Sequence, residues 1–131
     1  MKQNILFLIV LLLVSCFCTG CCKTGELIVL PSSTEIQCIK IETLDSTEVT
    51  YTDAEKIEYF ISILSEATTT NKSSVQDFPM VDEYGTINIL TDNHNLTIYY
   101  YEDNEKYYLE QPYQGIYKLE TNINELIANN D

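Results

Sequence analysis

From Ile87 onward apolar and polar positions alternate with a period of two. Ile87 and Ile89 lead into Asp92-Asn93-His94-Asn95, and Leu96, Ile98 and Tyr100 lead out, which predicts two strands joined by a turn. Tyr99 and Tyr101 fall on the face opposite Ile98 and Tyr100. Glu102-Asp103-Asn104-Glu105 then turns the chain, and Tyr107 and Leu109 alternate with Tyr108 and Glu110. Gln111-Pro112-Tyr113-Gln114-Gly115 reads as a type I turn with Pro at its second position and Gly at its close, and Ile116 to Leu119 as a last short strand. Upstream, three further strands are predicted at Glu26 to Leu30, Ile36 to Ile41 and Thr47 to Tyr51.

The period changes after Tyr51. Thr52-Asp53-Ala54-Glu55 has the pattern of a capping box, and Ile57, Phe60, Ile61 and Leu64 follow at the spacing of one helical stripe. Thr68-Thr69-Thr70-Asn71 marks the helix end, because these side chains compete for their own backbone. Residues 67–85 are expected to be irregular, with Val75, Phe78, Met80 and Val81 drawing part of the stretch onto the body. A final helix starts at Asn122, with Glu125 in its cap and Ile123, Leu126 and Ile127 on its apolar side. The predicted order is β-β-β-α-β-β-β-β-α. It describes an α+β domain, an antiparallel sheet or sheets with one main helix packed on a face and a short C-terminal helix.

The amino end follows a different pattern. Ile5 to Val14 is an unbroken apolar run behind Lys2, too short to cross a hydrocarbon core about 30 Å thick as a helix. It has the proportions of a secretory signal, with cysteines where small residues normally precede the cut. Leu13-Val14-Ser15-Cys16 resembles the lipobox of a bacterial lipoprotein, in which the cysteine is acylated. Cys18-Thr19-Gly20-Cys21 resembles it at two positions and departs from it at Cys18. Cys16 is the favoured lipidation site and Cys21 the alternative. Residues 1–22 are thus expected to be signal and tether, and residues 23–131 a single extracytoplasmic domain held at the cell membrane by a lipid anchor.

Composition narrows the chemistry. The net charge is −13, with 20 acids against 7 bases, and removing a signal that carries Lys2 makes the remainder one unit more negative. Such a surface repels nucleic acid and anionic lipid, and attracts cations or basic proteins. Only Cys38 lies within the domain, where it reads as a small strand residue. His94 is the sole histidine, placed in a turn, and no phosphate loop, metalloprotease helix or nucleophile elbow occurs. Glu102 to Glu105 lacks the spacing of a calcium loop. No enzyme, cofactor or metal site is expected.

The tyrosines are the remaining lead. Tyr99, Tyr100, Tyr101, Tyr107, Tyr108 and Tyr113 cluster in a chain with ten tyrosines in all. Tyr99, Tyr101 and Tyr108 are predicted to face outward, in a possible ladder across neighbouring strands, and Tyr113 to sit at a turn tip; together they form a candidate binding surface. Tyrosine is also a good strand former, which accounts for much of the cluster without a ligand.

Glu110-Gln111-Pro112-Tyr113-Gln114-Gly115-Ile116-Tyr117, with Ser74-Val75-Gln76-Asp77-Phe78-Pro79 and Leu30-Pro31-Ser32, resembles an uncharacterised family of small lipoproteins from Gram-positive bacteria. The resemblance covers most of residues 26–127. It implies one extracytoplasmic domain without established activity, and brings no catalytic or binding residues with it. Two functions are consistent with these features. One is a surface-anchored module binding a basic protein, a peptide or a cell-wall component. The other is an accessory subunit of an envelope complex or an inhibitor of a cationic hydrolase.

Overall fold

The computed structural model describes residues 27–129. The signal-like segment with Cys16 and Cys21 lies outside them, as do Glu26, Asn130 and Asp131. Seven strands form one antiparallel sheet: β1 Ile36–Glu42, β2 Glu48–Tyr51, β3 Thr68–Lys72, β4 Gly85–Thr91, β5 Asn95–Asp103, β6 Lys106–Gln111 and β7 Gly115–Leu119. Their spatial order is β2-β1-β4-β5-β6-β7-β3. Among the described residues two α-helices, α1 Ala54–Ser65 and α2 Ile123–Ala128, join this sheet in the α+β fold that the patterning predicts.

Helix α1 carries the chain from one edge of this sheet to the other. Twelve helical residues span about 18 Å, and two or three extended residues at each end supply the rest of the roughly 29 Å between the outermost of seven strands. The helix buries Ile57, Phe60, Ile61 and Leu64, the stripe read from the sequence. They meet Ile39 and Ile41 of β1, Ile87 and Ile89 of β4, Ile98 of β5 and Leu109 of β6 in one core. Burying side chains of this size contributes about 1.5–3 kcal/mol each before entropy is subtracted. The cap differs by one residue from expectation. Asp53, not Thr52, accepts the amide protons of Glu55 and Lys56, both at 3.1 Å, since its carboxylate is the better acceptor beside the positive end of a helix. Asn122 caps α2 as expected, accepting from Asn124 N–H at 2.9 Å.

The strand count agrees with the prediction, but one strand moves. Residues 27–32 belong to no ladder. Pro31 has no N–H, and the Gln111 side chain supplies the bonds a neighbouring strand would have given. Its Oε1 accepts from Val29 N–H at 3.2 Å and its Nε2 donates to Val29 O at 2.9 Å. Ile28 and Leu30 rest against the core while Leu27 and Val29 stay exposed. The additional strand is β3, made from the threonines that end α1. Being β-branched, they disfavour helix and favour an extended edge. β3 pairs with β7 through an irregularity between Thr69 and Lys72, where Asn71 takes a left-handed φ of 59°.

Glycine is required at one close approach. A Cβ on Gly85 would lie 2.3 Å from the Tyr100 ring, and that ring's hydroxyl donates to Asn124 Oδ1 at 2.9 Å, tying β5 to α2.

Candidate binding surface

The face of the sheet away from α1 carries the residues of interest. The register sets Tyr99 opposite Glu110 and Tyr101 opposite Tyr108 across β5 and β6, and Thr86 opposite Tyr99 across β4 and β5. Tyr99, Tyr101 and Tyr108 therefore share the outer face, as the alternation requires. Tyr99 and Tyr101 are not displayed there, however. Each keeps 8% of its surface in solvent, and Tyr108 is half-buried.

Tyr99 is covered by segment 73–84. Ser74 is buried and donates its hydroxyl to Glu110 Oε1 at 2.6 Å, a bond to a carboxylate in a dry setting that pins the segment to β6. Phe78 and Tyr84 then lie over Tyr99. The Phe78 centroid is 6.0 Å away with its ring tilted by 56°, and that of Tyr84 is 5.3 Å away at 84°, an edge-to-face pair. Tyr101 and Tyr108 stack on one another at 5.6 Å and 27°, one rung of the ladder that the alternation suggests.

The tyrosine hydroxyls feel this environment. Burial pushes Tyr101 up to about 12, with the charges of Glu110 and Asp103 adding to it. Burial also raises Tyr99, assisted by Tyr84, Asp77 and Glu110. Both rings stay neutral at physiological pH, and the field around them is negative.

Part of the segment packs down, as expected, but three of the four apolar side chains expected to draw it there stay bare. Val75 is 77% exposed, Phe78 59% and Met80 86%; only Pro79 and Ser74 are fully inside, with Val81 partly so.

Tyr113 joins this patch from the β6–β7 turn, 64% exposed, with its hydroxyl donating to Asp77 Oδ1 at 2.6 Å. That bond, and Asp77's charge, raise its pKa. Gln114 N–H donates to Gln111 O at 3.0 Å, and Tyr113 has φ 60° at the third position. The turn is accordingly of type II character, not type I, with an aromatic residue where glycine is usual. A bulky side chain held in the left-handed region is uncommon and carries strain of order 1–3 kcal/mol.

Beside the cover a groove of about 470 Å³ opens between segment 78–84 and the β1–β2 turn. A second, of about 490 Å³, runs between residues 29–31 and the ends of β5 and β6. Among the described residues no group of three or more His, Cys, Asp or Glu side chains is placed to hold a metal ion. Glu102 to Glu105 forms the tight β5–β6 turn, with Asn104 and Glu105 at φ 52° and 60°, the backbone of a type I′ hairpin. Phe78, Tyr84, Ser74 and Glu110 were not candidates from the sequence. Ser74 and Phe78 do fall in a string singled out there, but nothing in one dimension pairs that string with β6.

Residues 24–118 match the family described as "Domain of unknown function (DUF5300)". The NMR structure of a protein from Ruminococcus gnavus is similar at 39% identity with a TM-score of 0.70, over 77% of this chain and 99% of that one. No curated protein matches the chain. Among the described residues no helix is long and apolar enough to cross a membrane.

Proposed function

Since the chain belongs to the family described as "Domain of unknown function (DUF5300)", whose description names no activity, we propose its role from its own surface: a lipid-anchored, extracytoplasmic and non-catalytic module that binds a basic protein or peptide. The observation that carries the binding half is the bare segment 73–84. It exposes Val75, Phe78 and Met80 beside Tyr113, and its charged residues, Asp77, Asp82 and Glu83, are all acidic. Apolar side chains ringed by one sign of charge favour a partner of the opposite sign with apolar residues of its own. The anchoring half is supported by the lipobox-like Leu13-Val14-Ser15-Cys16, and in this reading the module sits on the outer face of the cell membrane.

Each half has its own test. Mass measurement of the mature chain, made in a bacterium that processes lipoproteins, should find a diacylglyceryl group on Cys16, lost in Cys16→Ser; an unmodified chain starting at Met1 refutes the anchor. Length-matched acidic, neutral and basic peptides, titrated against the full-length chain in neutral detergent, should show binding only for the basic set. That binding should fall in Met80→Ser and Tyr113→Ser. Indifference to peptide charge refutes the binding module.

A further inference from the structure

The groove beside the cover has aromatic rings and carboxylates as its working surfaces. Its floor is Tyr99, with Glu42 along the same row of the sheet two strands away. Its wall is the run that carries Phe78, Asp82, Glu83 and Tyr84. Tyr84 and Tyr99 meet at 84°, forming a corner of two rings, and Phe78 keeps 59% of its surface open to a ligand. Glu42, Asp82 and Glu83 are exposed, and no lysine lines the groove.

Rings and carboxylates together select an organic cation. Ring faces carry negative electrostatic potential and attract a cation within about 6 Å. The molecule already makes this contact on its other face, where Lys56 Nζ stands 5.7 Å from the centroid of the Tyr51 ring. A calcium ion is disfavoured, because it needs six to eight converging oxygens and ring carbons supply none. Guanidinium fits better than ammonium for two reasons. It sheds water more readily and stacks flat on a ring, and its edge still donates hydrogen bonds to carboxylates in its own plane.

We infer that this groove binds the guanidinium group of an arginine side chain, stacked on the Phe78–Tyr84–Tyr99 corner and donating to the carboxylates at its rim. The inference rests on the binding-module reading and supplies the chemistry of its ligand. The groove, at about 470 Å³, lies within the size range of small-molecule sites, so one arginine and its flanking backbone can enter it.

The test is a calorimetric titration of the full-length chain in neutral detergent at low salt. The probes are Nα-acetyl-arginine amide, the lysine equivalent, and the citrulline equivalent, which keeps the shape of arginine without its charge. Arginine amide should saturate with a Kd of order 1 mM, lysine should bind more weakly, and citrulline should not saturate. Tyr84→Leu and Phe78→Leu should each weaken arginine about three- to thirty-fold. Phe78 is exposed enough that its replacement spares the fold, which an unchanged melting temperature would verify. Citrulline or lysine matching arginine overturns the inference. So does unchanged affinity in both variants, or no saturation up to about 50 mM arginine amide, a limit that would place any binding far weaker than the expected millimolar range. If arginine amide fails while basic peptides still bind, the guanidinium site is lost and the binding-module reading survives on the exposed patch.

Discussion

Alkaline pH should unfold this domain in a window set by two buried tyrosines. Burial pushes Tyr100 up to about 12, with Asp45 contributing, and Tyr101 up to about 12, with Glu110 and Asp103 contributing. In the unfolded chain both phenols titrate near their ordinary value of about 10. Between those values the unfolded chain has released protons that the folded chain still holds, so rising pH favours unfolding. The contribution is fully present below about pH 10 and is lost as pH passes through about 12. Two pKa units correspond to about 3 kcal/mol for one ring before solvent screening reduces it, so the pair costs at most about 5 kcal/mol. That is comparable to the whole stability of a marginal domain, about 5–15 kcal/mol. Urea unfolding followed by circular dichroism from about pH 8 to about pH 12 should show the loss, with a tyrosinate absorbance titration alongside. Tyr100 and Tyr101 should ionise only as the fold is lost. If all ten tyrosines ionise together near the ordinary value while stability stays flat, the burial of Tyr101 beneath the outer face is wrong.

Other predictions concern the backbone and the amino-terminal segment. Gly85→Ala puts a methyl 2.3 Å from the Tyr100 ring and should destabilise by about 1–3 kcal/mol, read as a lower urea midpoint. Glu105→Gly relieves a left-handed φ of 60° and should stabilise by up to about 1 kcal/mol in thermal unfolding; a loss would mean that the hairpin turn is not of type I′. Gln111→Ala removes both bonds to Val29. It should cost about 1–3 kcal/mol and speed hydrogen exchange at the Val29 amide, with exchange in β4 and β5 unchanged at matched stability.

Short-range regularities carried most of the fold into the sequence. The helical stripe of Ile57, Phe60, Ile61 and Leu64 and the alternation through Ile87, Ile98 and Leu109 depend only on which face a residue occupies, and each placed its residues in the core. What stayed hidden depends on partners far along the chain. Val29 looks like strand because it is apolar, yet its hydrogen bonds come from a side chain 82 positions away. The threonines of β3 look like the end of a helix until β7 is there to pair with them. The same limit governed the surface. Alternation put Tyr99 and Tyr101 on the outer face, but it could not show that Ser74 would reach Glu110 or that Phe78 and Tyr84 would lie over Tyr99. Beside them the cover leaves Val75, Phe78 and Met80 exposed, together with Tyr113.

In the proposed function a basic partner lands on the bare side of segment 73–84. Heteronuclear shift mapping of the full-length chain, titrated with an arginine-rich peptide, tests it most directly. Perturbations should concentrate in residues 75–84, at Tyr99 and around Tyr113, and should diminish with added salt. Shifts centred on α1 or on the groove beside Val29, or none at all at saturating peptide, would contradict it.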